Sequence, residues 1–182
     1  MKRAIHRKKR LNLRWVVGLV LIIVVPIALV VLVAYVVEVP PGDAAVGKPL
    51  PDFSVPQFPQ GTLTFSQFRG RPVVINYLAA WCGPCWQELP YFQNEWMKHR
   101  DKGLVVIGIS LQDSPKTVEY MVSRIGLDFP IGMDETGVVA SRVFRIMGMP
   151  TTYFIDRKGV VQGVWRGPIH PKSLRQQIEK IL

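Results

Sequence analysis

The chain has 182 residues, enough for one domain of ordinary size and a short appendage. Hydrophobic residues make up 48% and charged residues 20%, which excludes a largely disordered chain. Two cysteines exclude a scaffold of several disulfides, and two cysteines with three scattered histidines do not predict a metal site. The formal net charge of +10 is typical of nucleic-acid or membrane-surface proteins, so its distribution decides its meaning.

Most of this charge lies at the N-terminus. Residues 1–14 carry seven basic side chains and no acidic one, whereas the chain from Glu38 onward has a net charge of only +3. Residues 15–37 carry no charge, and a helix of that length is about 34 Å long, enough to span a hydrocarbon core of about 30 Å. We therefore predict a basic cytoplasmic tail (1–14) and an uncleaved transmembrane signal-anchor helix (15–37). A cleaved signal peptide and a buried core helix are the alternatives.

This topology gives the charge a different meaning. A basic run beside a membrane span keeps the N-terminus in the cytoplasm, so the chain after Val37 is predicted to be extracytoplasmic. The protein is then a single-pass protein of the cell membrane. Because the basic run is first of all a topology signal, no nucleic-acid partner is predicted.

The exported part begins with a linker and continues as alternating strands and helices. Residues 38–51 hold four prolines and two glycines, which is typical of an extended linker, and Pro56 and Pro59 predict an irregular start to the domain (52–182). Strands are predicted at 62–65, 73–78, 104–109, 129–131, 152–155 and 160–165, and helices at 85–99, 115–125, 137–144 and 173–182. The alternation predicts an α/β fold with a central mixed sheet flanked by helices.

Both cysteines lie in the run WCGPC at positions 81–85, between the strand 73–78 and the following helix. A helix N-terminus stabilises a thiolate through its unpaired N–H groups and its dipole. Cys82 lies just before the first turn and is predicted to have an exposed sulfur, whereas Cys85 lies inside the turn and is predicted to be buried. Cys82 is then the attacking thiol and Cys85 the resolving thiol of a disulfide exchange. A purely structural disulfide is the alternative, but so small a ring stabilises little.

The sequence around this motif resembles the TlpA/ResA/CcmG group of membrane-tethered thiol–disulfide oxidoreductases in the thioredoxin superfamily. The resemblance covers residues 46–182. It rests on WCGPC after a buried strand, on PDF at 51–53, on FRGRPVVIN at 68–76, on MPTTYFID at 149–156 and on Gly159. It implies a thioredoxin-like fold and no cofactor beyond the redox-active Cys82–Cys85 disulfide.

The resemblance also implies roles for residues outside the motif. Met149-Pro150 matches the cis-proline loop that lies beside the active-site disulfide in this fold, where the Met149 backbone would bind an extended substrate segment. Glu88 lies one helical turn after Cys85, and a glutamate at this place helps proton transfer to and from the buried cysteine in ResA-like members. A solvated surface glutamate is the alternative reading. Trp81 is expected to shield Cys82 and contact substrate.

The leading functional hypothesis is an extracytoplasmic thiol–disulfide oxidoreductase that works as a reductant, because Gly-Pro between the cysteines is the dipeptide of reducing thioredoxins. The resemblance implies protein clients such as apocytochrome c and electrons from a CcdA- or DsbD-like membrane donor. A Sco-like copper-delivery protein on the same fold is the alternative, although Cys82 and Cys85 are spaced by two residues rather than three and the only late histidine is His170. A tethered scaffold with a vestigial site is the third hypothesis.

Overall fold

The computed structural model describes residues 22–28 and 44–182. Residues 22–28 are helical and exposed. The predicted basic tail (1–14), the rest of the predicted signal-anchor helix (15–37) and residues 38–43 of the predicted linker lie outside the described residues. Within the described part of the chain, no helix combines the length and the apolar character needed to cross a membrane.

Residues 54–166 contribute seven strands to one mixed sheet. The strands are β1 (Ser54–Phe58), β2 (Thr62–Thr64), β3 (Val73–Leu78), β4 (Val105–Leu111), β5 (Ile131–Asp134), β6 (Thr151–Ile155) and β7 (Val161–Arg166). Their order across the sheet is β2-β1-β5-β4-β3-β6-β7. β3 pairs in parallel with β4 and antiparallel with β6, so the predicted central mixed sheet is confirmed.

Strand β3 lies inside the sheet, and all six of its residues are buried. Its bounds are those predicted, because a run of β-branched and apolar residues is what a strand covered on both faces requires. β5 begins at Ile131, the last residue of the predicted 129–131 strand, and continues to Asp134. The other predicted strands differ from the structure by one or two residues at their ends.

Three helices cover the sheet: α1 (Gly83–His99), α2 (Pro115–Ile125) and α3 (Pro171–Ile181). Ser114 caps α2, and its hydroxyl oxygen accepts a hydrogen bond from the Thr117 N–H at 3.3 Å. Helices α1 and α3 begin two residues before their predicted starts, since Pro84 and Pro171 lie within their first turns, where a proline needs no N–H partner.

The core has one cluster of buried side chains on each face of the sheet. The first cluster packs helix side chains such as Leu89, Phe92 and Leu174 against the strands, and it includes Cys82 and Cys85. The second cluster contains Tyr77, Phe144 and Tyr153 among others. Burial of apolar surface on both faces holds the strand that leads into the cysteine pair.

The start of the domain is a strand rather than the irregular segment predicted from Pro56 and Pro59. β1 pairs with β2 through residues 54–56 and with β5 through Gln57 and Phe58. Pro56 lies where β1 changes partner, and this position tolerates a proline because few ladder bonds depend on its missing N–H. Val55 and its register partner Leu63 are buried, which fixes the strand despite the prolines.

The segment predicted as a helix at 137–144 is helical at 138–144, and its residues Ala140–Phe144 form a short π-helical turn. The Asp134 carboxylate accepts hydrogen bonds from the N–H groups of Val139 and Ala140 and so fixes the start of the turn. Arg145 ends it in the left-handed conformation, with a φ of 49°.

Residues 44–51, assigned to the linker from the sequence, pack against the domain. Ala44 and Leu50 are buried. The N–H groups of Gly47 and Leu50 donate to the carbonyl oxygens of Val161 and Gly159, each at 2.8 Å. Two buried apolar side chains and these hydrogen bonds therefore fix a segment that its prolines and glycines assigned to an extended linker.

Candidate active site

The cysteine pair lies where β3 leads into α1. The two cysteines are joined by a disulfide, and their Cα atoms are 5.3 Å apart. Cys82 is the N-cap residue of α1, and Pro84 lies in the first turn. Because β3 is clamped between two neighbouring strands, the cysteines are held at the end of a rigid element.

The two cysteines differ in exposure in the direction predicted from their positions. Cys85 is completely buried, whereas Cys82 keeps 5% of its surface exposed. The prediction of a freely exposed Cys82 sulfur is nevertheless wrong in degree, because in the disulfide form Cys82 packs into the first core cluster beside Ala79 and Cys85. Of the two, only Cys82 has any surface that a second molecule can reach.

The backbone around Cys82 is arranged to favour a thiolate. In the first turn of α1, the Cys85 N–H donates to the Cys82 Sγ at 3.3 Å and also to the Cys82 carbonyl oxygen at 3.0 Å. A sulfur in this position interacts favourably with the positive end of the helix dipole. Such contacts lower the pKa of a free cysteine at a helix N-terminus.

The predicted substrate-binding residues lie around the end of β3. Trp81 is 67% exposed. The Met149–Pro150 peptide bond is cis, as predicted, and the next residue, Thr151, is the register partner of Tyr77 at the end of β3. Met149 packs against the first core cluster, which contains both cysteines. The structure therefore brings the Met149–Pro150 loop to the same sheet edge as the cysteine pair.

Glu88 is buried rather than solvated, so the surface alternative is wrong. Only 1% of its surface is exposed. One carboxylate oxygen accepts a hydrogen bond from the Asn76 side-chain amide at 2.9 Å, and the other accepts one from the Ile169 N–H at 2.9 Å. Burial raises the pKa of Glu88 from 4.5 to about 7, against the opposing effect of these two hydrogen bonds.

Both residues that hold Glu88, Asn76 and Ile169, were missed in the sequence analysis. Asn76 lies in the apolar run of β3, is completely buried and also donates to the Thr152 hydroxyl at 3.0 Å. The polar side chain of Asn76 within an otherwise apolar strand was the only sequence signal that could have identified it. Ile169 contributes only its backbone N–H from the loop before α3, so no property of its side chain could have identified it.

Among residues 22–28 and 44–182, no three His, Cys, Asp or Glu side chains form a group that could hold a metal ion. The candidate site is therefore described by its two thiols and by the carboxylate on the same helix. His170, the histidine considered for the copper alternative, is the N-cap residue of α3.

Comparisons with known proteins agree with this geometry. ResA, a thiol–disulfide oxidoreductase of Oceanobacillus iheyensis, is 33% identical over 128 residues, which are 68% of this chain and 66% of that protein, just under two thirds of its length. The thioredoxin-like protein YneN of Bacillus subtilis is 32% identical over 73% of this chain and 78% of its own length. A Chlorobium tepidum structure assigned as a thiol:disulfide interchange protein DsbE superimposes with a TM-score of 0.70 at 29% identity, covering 75% of this chain and 97% of that one.

The fold and the disulfide-bonded Cys-Gly-Pro-Cys motif define a thioredoxin-like thiol–disulfide oxidoreductase, and the resemblance to the ResA and CcmG/DsbE group is confirmed. The AhpC/TSA family matches residues 46–164, and the chain belongs to that family.

Proposed function

We propose that this protein reduces disulfides of extracytoplasmic proteins through Cys82 and Cys85. The Cys82 thiolate attacks one sulfur of a client disulfide and displaces the other as a thiolate, giving a mixed disulfide. Cys85 then attacks the Cys82 sulfur, which releases the second client thiol and closes the Cys82–Cys85 disulfide. The client gains two electrons and two protons, and a dithiol donor must later return two electrons to the protein.

The observation that carries this proposal is the difference between the two cysteines at the start of α1. Cys82 keeps a little exposed surface and lies within reach of the Cys85 N–H, whereas Cys85 has no exposed surface. An attacking thiol must be accessible, and a resolving thiol needs to reach only its neighbour. The same difference supports a redox role over a vestigial or purely structural disulfide.

We assign Glu88 the role of proton acceptor and donor for Cys85. Cys85 must lose a proton before it can attack Cys82, and a buried thiol has no water to take it. Glu88 lies one turn along the same helix, and its pKa of about 7 suits proton exchange near neutral pH. Asn76 and Ile169 hold the carboxylate in place.

The direction of exchange is tested by the reduction potential. We expect the full chain in detergent, equilibrated with a dithiol buffer, to have a potential near the thioredoxin value of about −270 mV. The Gly-Pro dipeptide between the cysteines supports this value. A potential near the DsbA value of about −120 mV would overturn the reducing direction and leave the protein as an oxidant.

The proposed location is the outer face of the cell membrane, with the N-terminus in the cytoplasm. The basic run at 1–14 and the uncharged segment at 15–37 support this arrangement. Because Cys82 and Cys85 are the only cysteines of the chain, they report directly on topology.

We expect a membrane-impermeant maleimide, added to intact cells after mild reduction, to label the chain in the membrane fraction. A chain with both cysteines replaced by alanine is the control and should remain unlabelled. Labelling that occurs only after lysis would place the domain in the cytoplasm and contradict the proposed topology.

The client class and the electron donor belong to the same proposal. We propose apocytochrome c, whose paired cysteines must be reduced before haem attachment, as a client, and a CcdA- or DsbD-like membrane protein as the donor. The resemblance to the TlpA/ResA/CcmG group supports both. An outward-facing dithiol domain needs such a donor, because each turnover leaves it oxidised.

A further inference from the structure

The backbone of Ala80, the residue just before Trp81, is held from two sides by side chains outside the cysteine motif. The Ala80 N–H donates to a carboxylate oxygen of Asp113 at 2.8 Å. The Ala80 carbonyl oxygen accepts a hydrogen bond from the Trp86 indole N–H, also at 2.8 Å. Both polar atoms of this residue's backbone are therefore fixed, one from the loop after β4 and one from α1. We call Asp113, Ala80 and Trp86 the loop clamp.

The register of the sheet explains why Asp113 reaches this position. β3 and β4 run in parallel, and Leu78 pairs with Ser110. The chain leaves both strands at the same edge, so the residues after Leu78 face the turn after Leu111. The Ser110 hydroxyl donates to the same Asp113 oxygen that accepts the Ala80 N–H, which fixes the carboxylate from its own strand.

The turn that presents Asp113 adopts an uncommon backbone conformation. Gln112 has a φ of 56°, in the left-handed region that non-glycine residues rarely enter. Its N–H donates to the Asp134 carbonyl oxygen at 3.1 Å, which ties the turn to β5. A non-glycine residue keeps such a conformation where the surrounding structure holds it in place, and such residues cluster at functional sites.

Asp113 is buried and has no cationic partner among the residues that the structure describes. A buried carboxylate without an ion pair depends on the N–H and O–H groups that donate to it. Trp86 is fixed as well, because its ring lies 6.1 Å from that of Tyr120 on α2. Both arms of the loop clamp are therefore anchored in elements other than the cysteine loop.

We propose that Asp113 and Trp86 are positioning residues that hold the Trp81–Cys82 backbone over the start of α1, so that the reduced Cys82 sulfur stays within reach of the Cys85 N–H. Without the loop clamp, the loop from Ala79 to Cys82 can move, and the thiolate loses part of that hydrogen bond. The functional importance of this inference rests on the proposed exchange at Cys82. Its test, however, needs no client protein.

The test compares Asp113→Ala with Asp113→Asn in the full chain. Both substitutions remove the charge, but the asparagine side-chain oxygen can still accept the Ala80 N–H, so the pair isolates positioning from electrostatics. We measure the alkylation rate of reduced Cys82 by iodoacetamide across pH, with the modified site identified by mass spectrometry. Because the Cys82 thiolate loses part of its hydrogen bond to the Cys85 N–H, we expect Asp113→Ala to react about tenfold more slowly than Asp113→Asn at neutral pH, with its pH profile displaced upward.

Trp86→Phe tests the other arm, since it keeps an aromatic ring and removes the indole N–H. We expect a change in the same direction. The double variant with Asp113→Ala should show a less than additive effect, because both side chains hold the backbone of the same residue, Ala80. Trp96→Phe on the same helix is the matched control and should leave the profile unchanged. Should Asp113→Ala fail to fold, Trp86→Phe and its control decide the question.

Asp134→Ala controls for the loss of a buried carboxylate in general, since Asp134 also accepts two backbone N–H groups. It should lower the free energy of unfolding and leave the Cys82 profile unchanged. Identical profiles for Asp113→Ala and Asp113→Asn, or an equal displacement in Asp134→Ala, would overturn the loop clamp. Failure of the wild-type disulfide to exchange with a dithiol buffer would instead contradict the proposed function and leave the alkylation comparison valid.

Discussion

Cys82→Ala is expected to abolish disulfide exchange, whereas Cys85→Ala is expected to convert the protein into a trap. Cys85 has no exposed surface, so the Cys82→Ala chain retains a thiol that a client cannot reach. Cys85→Ala keeps the accessible Cys82 thiol. It also keeps the backbone N–H at position 85, which stabilises the Cys82 thiolate. The first half of the exchange then proceeds and the second half cannot.

The measurement is non-reducing electrophoresis of cell membranes, followed by identification of the captured proteins. We expect adducts with Cys85→Ala that disappear on reduction, and none with Cys82→Ala or with the double variant. A captured apocytochrome c would support the proposed client. Adducts formed equally through position 85 would contradict the assignment of the two thiols.

Glu88→Gln is expected to slow resolution of the mixed disulfide about 100-fold near neutral pH, because general acid–base catalysis by a positioned side chain typically contributes 10²–10⁴-fold. Glutamine keeps the size of the side chain and loses the proton exchange. The rate of attack by Cys82 on a small disulfide should change little, since Cys82 has its own contact with the helix N-terminus. Stopped-flow measurement of the two steps separates these effects.

The same substitution has a second signature in stability. The pKa of Glu88 is raised by burial from 4.5 to about 7, so the folded chain binds this proton more tightly than the unfolded chain does. The free energy of unfolding should therefore fall as the pH rises from about 4.5 to about 7, by about 3 kcal/mol from this group alone.

Denaturant unfolding at pH 5, 6 and 8 should show this decline in the wild type and a flatter profile in Glu88→Gln. Glu179→Gln on α3 is a matched control, because Glu179 is exposed and should leave the slope unchanged. A wild-type slope equal to that of Glu88→Gln would show that the carboxylate titrates normally.

Much of the fold follows from local sequence, and the misses have identifiable causes. The buried run of β3 and the Ser114-Pro115 start of α2 predict their elements correctly, because each signal acts on the residues that carry it. β1 was missed because its stability comes from partners distant in sequence, Leu63 and the β5 strand, which outweigh the local effect of Pro56. Residues 44–51 were assigned to a linker for the same reason.

The candidate site divides in the same way. Cys82 and Cys85 carry their chemistry in their own side chains and spacing, so the sequence predicts them. The burial of Glu88 depends on Asn76, which is 12 positions away, and on Ile169, which is 81 positions away. Asp113 is 33 positions from the peptide that it holds. No local pattern records these contacts, since they arise only when β3, β4 and the loop before α3 meet at one sheet edge.

The hydrogen bond from Ile169 to Glu88 has a consequence for how this site tolerates change. The donor is a main-chain N–H, so replacing the side chain at position 169 leaves the donor in place. An alanine there would lower stability through the loss of a buried core side chain and would not reveal this hydrogen bond. The Glu88 carboxylate depends on the length of the loop between β7 and α3, because that length brings the Ile169 N–H within hydrogen-bond distance. Insertions or deletions between β7 and α3 are therefore expected to displace the N–H that holds Glu88, which a side-chain substitution at position 169 does not remove.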